Sequence, residues 1–207
     1  VPFAILLLTA FTCTYWILSS EHFFERIHEE AYARATTEEQ REALNNAREA
    51  TELALASESA KIYFGVHVAW VVGRSFVVLL LSCWLLLSWI SSRWDLFLPS
   101  YLSWLSVSGV LSLGFIIHTI IQLVLHEQTI NIGPALLFEP VDKSDSLYSV
   151  LTRIDLFTLL FLWATSIRWS NIYGESKWAV FFITCSTVVV LALLSMLLDI
   201  QFFLFNI

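Results

Sequence analysis

Five apolar runs organise the chain, at about residues 3–20, 62–90, 101–125, 148–167 and 177–198. Each is long enough to cross about 30 Å of hydrocarbon as a helix. Their polar interruptions are unequal. The first, residues 21–61, is charged and alanine-rich, and from Glu38 it passes into the second apolar run without Pro or an obvious turn. An unbroken helix from Glu38 to Ile90 would be roughly 80 Å long, well over twice the hydrocarbon thickness. The pattern predicts an all-α polytopic membrane protein. A transmembrane helix occupies 1–20, an extramembrane helical hairpin 21–61, four further spans 62–198, and an apolar tail 199–207. Five spans would leave the chain ends on opposite sides; the side carrying 21–61 is called side A and the other side B.

The hairpin turn is expected at Ala35–Thr37. Thr36 with Glu39, and Thr37 with Gln40, have capping-box spacing. Phe23, Ile27, Ala31 and Ala35 repeat every four residues going up, and Leu44, Ala47, Thr51 and Ala54 recur coming down, so two antiparallel helices could approach closely. Ser91–Ser100 and Arg168–Lys177 read as short side-B connections. His126–Ser146, broken by Gly133-Pro134 and Glu139-Pro140, reads as a longer side-A loop. Trp89, Trp94, Trp104, Trp163, Trp169 and Trp178 fall near the side-B span ends, as interfacial anchors would, with Tyr15, Trp16, Tyr63 and Tyr148 on side A.

Composition agrees with this layout. Hydrophobic residues make up 57% of the 207, with a mean hydropathy of +0.73, which argues against a water-soluble domain. Of the 18 acidic residues, those from Glu21 to Glu58 concentrate in the first polar stretch, where Arg26, Arg34, Arg41, Arg48 and Lys61 are outnumbered. An acidic arm excludes nucleic acid as the expected partner. Cys13, Cys83 and Cys185 each sit inside an apolar run and read as free thiols. Residues 1–20 lack the basic region of a signal peptide, so they read as a transmembrane helix, with a further segment expected before Val1.

Within the spans, Gly65, Ala69 and Gly73 repeat every four residues on one helix face, the pattern for close helix packing in lipid. Arg74 comes next, and a charge at the bilayer centre costs about 2.5–3.5 kcal/mol on insertion scales. Counting along the spans places His118 and Asp155 at comparable depth. A buried polar cluster of Arg74, His118 and Asp155 is therefore expected, either as packing ion pairs or as the polar site of a carrier. Glu25-x-x-His28 has the spacing of one di-iron helix pair, but no second copy exists. His-Glu-x-x-His, Cys-x-x-Cys, Gly-x-Ser-x-Gly and phosphate-binding glycine motifs are absent from the sequence. The expectation is a non-enzymatic protein without a cofactor.

The run Thr129-Ile130-Asn131, a Pro-containing loop, and then Leu151-Thr-Arg-Ile-Asp155-Leu-Phe157-Thr-Leu-Leu-Phe-Leu-Trp163 resembles the Yip-domain family of Ypt/Rab-interacting proteins, in its bacterial branch. The motif positions are Asp155, Phe157 and Trp163. The resemblance implies five spans, a charged helical insertion after the first, no enzymatic activity, and side A outside the cytoplasm. Eukaryotic members interact with prenylated Rab GTPases, but the acidic arm is not one of their features. The expected protein is thus a bacterial inner-membrane scaffold or interaction partner, in contact with membrane lipids and with protein partners or further copies of itself. The alternative expectation is an ion, lipid or small-molecule carrier built on the polar cluster.

Overall fold

A computed structural model describes residues 2–20, 32, 37–38, 40–46, 57–125 and 155–197. All regular structure among them is helical. In chain order these are α1 (Pro2–Leu18), α2 (Glu58–Ser91), a 3-10 turn (Trp94–Leu96), α3 (Phe97–Val107), α4 (Gly109–Leu125), α5 (Leu156–Tyr173) and α6 (Lys177–Leu197). Three stretches are long and apolar enough to cross a membrane: Glu58–Ser91, Trp94–Val124 and Lys177–Ser195; Pro2–Leu18 is a shorter apolar helix. Most of the expected hairpin, the side-A loop, Glu25, His28 and the apolar tail lie outside the described residues. At the expected turn, Thr37 N–H donates to Gln40 Oε1 and Gln40 N–H to Thr37 Oγ1, both at 3.3 Å, a reciprocal capping pair.

Three expectations about helix limits are corrected. The helix from Glu38 to Ile90 is not continuous, because Ser57 is extended (φ −89°, ψ 132°) and its hydroxyl caps the Ala60 N–H at 3.2 Å. A serine in that position satisfies an N–H that has no partner inside the helix, so α2 starts afresh at Glu58. The stretch from Arg168 is not a turn either, since α5 runs on to Tyr173. Trp169 and Tyr173 are buried there, and the helix ends only at Gly174, in the left-handed region (φ 73°). Finally, Ser91–Ser100 is not all connection. After Ser92 (φ 55°) and the 3-10 turn the chain is helical again at Phe97, with one break at Ser108, whose hydroxyl and N–H both return to the Leu105 carbonyl.

The packing closes into a ring. α1 lies between α2 and α4, α5 between α4 and α6, and α6 returns to α2, while α3 fills in against α5. On the α1–α2 seam, a Cβ built on Gly65 would lie 2.9 Å from Phe11 Cδ2, and one on Gly73 3.1 Å from Leu7 Cδ2. Ala69 is half-buried on the same helix. Further along α2 the filling is aromatic. Phe76 meets Trp104 at 5.7 Å between ring centroids and Phe161 at 5.9 Å, and Trp104 meets Phe161 at 4.7 Å and Trp169 at 5.4 Å. Trp104 and Trp169 are therefore core residues, 0% exposed, and not interfacial anchors. The reason is positional: α3 and the end of α5 face inward, where only rings of this size fill the gap between α2 and α5. Trp89, Trp94 and Trp178 are exposed, as the anchor reading expects.

Candidate functional site

α5 opens with Asp155, which is extended (φ −99°, ψ 172°) and buried. Its Oδ1 accepts the Thr158 N–H at 2.6 Å, so the carboxylate is the N-cap of its own helix. Its Oδ2 lies 2.9 Å from Nε2 of His118, a buried residue on α4. One carboxylate thus starts α5 and ties that start to α4. The aromatic neighbour Phe157 stands edge-on to the His118 ring, with centroids 5.9 Å apart. An aspartate is well suited to both bonds, because the helix N-terminus favours negative charge and the second oxygen remains available to an imidazole.

Asp155 and His118 come together; Arg74 does not join them as a buried group. It is exposed on α2. Two geometric facts account for this. α1 stands between α2 and α4 in the ring. The levels also differ: Thr119 faces Cys13 of α1, whereas Gly73 faces Leu7 and Phe3. From Cys13 to Leu7 is about 9 Å along a helix. Counting residues from span ends failed because Asp155 is not seven residues into a helix but the residue before its first turn. Gln122, one turn beyond His118 on α4, is half-buried.

The remaining motif residue, Trp163, is half-buried where α5 meets α6. Its ring lies 4.8 Å from that of Trp178 and 5.3 Å from that of Phe181. Lys177 sits over it, 5.9 Å from the centroid, within cation–π range. The three motif positions therefore cap α5, pack its first turn, and dock its middle on α6.

A second polar group, which sequence reasoning missed, lies at the other end of the bundle. Ser100 Oγ donates to the Tyr173 hydroxyl at 3.1 Å, the Ser88 hydroxyl lies 3.3 Å from the same oxygen, and Trp169 Nε1 donates to the Ser100 carbonyl at 3.1 Å. All four side chains are buried. Arg168 reaches from α5 to the Ser106 hydroxyl on α3. The available signal was the helical spacing of Thr165, Trp169 and Tyr173, which puts them on one face of α5. Further buried hydroxyls, those of Ser75, Ser103, Ser112, Thr158 and Thr165, have no hydrogen-bond partner among the described residues, nor does the Trp104 indole N–H. Among the described residues, no three His, Cys, Asp or Glu side chains group as metal ligands would. Cys13 and Cys83 are buried free thiols and Cys185 is half-buried. No protein-family model, curated protein or solved structure matches the chain.

Proposed function

We propose that this chain is a non-enzymatic integral membrane scaffold of the Yip-domain type, working as a subunit of a larger assembly in a bacterial inner membrane. In this reading α1, α2, the α3–α4 pair, α5 and α6 are five spans, and the acidic arm projects on the non-cytoplasmic side. The observation that carries it is the double engagement of Asp155. Both carboxylate oxygens are committed to structure, one to the α5 cap and one to His118. A motif aspartate used this way holds helices in place. The test is purification from native membranes in mild detergent, with intact-complex mass spectrometry. A stoichiometric protein partner is expected, and a lone chain carrying only lipid overturns the reading.

A carrier is the second reading, favoured by the unpartnered hydroxyls of Ser75, Ser103, Ser112, Thr158 and Thr165 on α2 to α5. In lipid such groups are costly unless water or a polar passenger meets them. The two readings separate at Thr158→Cys, introduced into a chain whose three native cysteines are replaced by serine or alanine. Under the scaffold reading a water-soluble methanethiosulfonate leaves this thiol unmodified in intact membranes. Rapid modification, blocked by a candidate solute, establishes the carrier.

A further inference from the structure

The outward face of α5 changes chemistry along its length. Leu156, Leu160 and Ile167 recur at i, i+4 and i+11, all exposed and aliphatic, as a lipid-facing stripe would be. Beyond them toward side B come Arg168 and Asn171, also exposed, and then Glu175 and Ser176 past the Gly174 cap. Arg168 stands at the change. Its Nη1 donates to the hydroxyl of Ser106 on α3, and that hydroxyl in turn donates to the Ser103 carbonyl at 2.6 Å. The two bonds hold the guanidinium over the seam between α3 and α5.

A bond to a neutral hydroxyl leaves the charge of Arg168 uncompensated and most of its N–H donors unused. Among the described residues no carboxylate pairs with it, whereas Arg93, on the same side, is bonded to Asp95 at 3.2 Å. Depth decides what meets the charge. The Tyr173 hydroxyl lies 3.3 Å from that of Ser88, so the side-B ends of α5 and α2 are level. Arg168 is about 8 Å below that end. A helix of 34 residues, the length of α2, measures about 51 Å, roughly 20 Å more than the hydrocarbon. With the bundle centred, about 10 Å at each end stands in the headgroup layer. A guanidinium at that level reaches phosphate oxygens with its paired N–H groups.

We propose that Arg168, steadied by Ser106, holds the phosphate of a phospholipid in the side-B leaflet, with an acyl chain along Ile167 and Leu160. The headgroup end of such a lipid lies toward Asn171, where the face of α5 turns polar, and its tail follows the aliphatic stripe toward the bilayer centre. The site is independent of the scaffold and carrier readings, because it lies on the outer surface of the bundle.

The test titrates the full chain, in mild nonionic detergent, with dioleoylphosphatidylglycerol or with dioleoylglycerol, which lacks the phosphate. Bound lipid is counted by native mass spectrometry. The phospholipid is expected to be retained about 5-fold more strongly, the increment of one basic side chain meeting an anionic lipid. Arg168→Gln abolishes this preference and Arg168→Lys keeps part of it. Arg93→Gln, at a cation already paired with Asp95, leaves it whole. Unchanged helical circular dichroism of each variant is the folding control. Ser106→Ala keeps the cation but removes its support, and lowers the preference by a smaller factor, which keeps the site testable if Arg168→Gln does not fold. Equal retention of the two lipids by the wild-type chain overturns the proposal, as does a preference that survives Arg168→Gln. An equal loss in Arg93→Gln overturns it by revealing a response to net charge. Full displacement of the bound phospholipid by excess inorganic phosphate overturns it by identifying free phosphate as the ligand.

Discussion

Where α1 meets α2, contact is made by omission: Gly65 and Gly73 have no side chains, and Phe11 and Leu7 of α1 occupy the space. Three residues past Gly73 on the same helix, contact is made by bulk, with Phe76 set among Trp104, Phe161 and Phe3. The difference arises from how many helices meet. Two helices in lipid gain dispersion energy by bringing backbones together, which small residues permit. At the aromatic layer four helices, α1 through Phe3 together with α2, α3 and α5, converge around a wider gap, and large rings restore close packing there. The seam therefore tolerates little addition, and the layer tolerates little removal.

The largest test of that contrast is Trp104→Ala. Removing a fully buried indole that touches Phe76, Phe161 and Trp169 should cost about 3–5 kcal/mol, read as the shift in the sodium dodecyl sulfate fraction needed to unfold the chain in mixed micelles. A loss below about 1 kcal/mol would mean that the layer relaxes around the gap, and the contrast would fail. Substitution in the seam is a smaller and graded matter. Gly65→Leu forces a side chain into the Phe11 ring and should cost about 1–3 kcal/mol. Gly73→Ala displaces only the terminal methyl of Leu7, and its helix-propensity gain of up to about 1 kcal/mol offsets the crowding, so its stability should stay close to wild type. Equal effects at the two glycines would show that the seam is not limited by steric approach.

Much of the architecture was legible in the chain because apolar length is a local property. The ranges of α1, α2 and α6 match the hydrophobic runs to within a few residues. The illegible part depended on which way a residue faces. Trp104, Trp169 and Trp89 have the same chemistry and similar distances from a span end, yet the first two are 0% exposed and Trp89 is 71% exposed. Arg74 and Asp155 were matched by counting from span ends, and the count assumed that the fourth helix began well before Asp155. The cap itself was in principle readable, since aspartate ahead of a long apolar run is a helix-start signal. It was hidden because Tyr148, Val150, Leu151 and Ile154 carry an apolar pattern up to Asp155, so the run reads as starting before it. The Ser88–Ser100–Tyr173 group joins residues 73 and 85 positions apart, and no spacing rule brings such residues together.

The bond between His118 and Asp155 also has a direction in time. Ribosomal synthesis delivers α4 before α5, so the imidazole is already present when the carboxylate arrives. An isolated aspartate would resist leaving water for a protein interior. Here it meets two ready hydrogen-bond partners, the ring on the preceding helix and the Thr158 N–H of the turn it starts. The order of the two residues along the chain thus makes the earlier helix a receptor for the start of the later one.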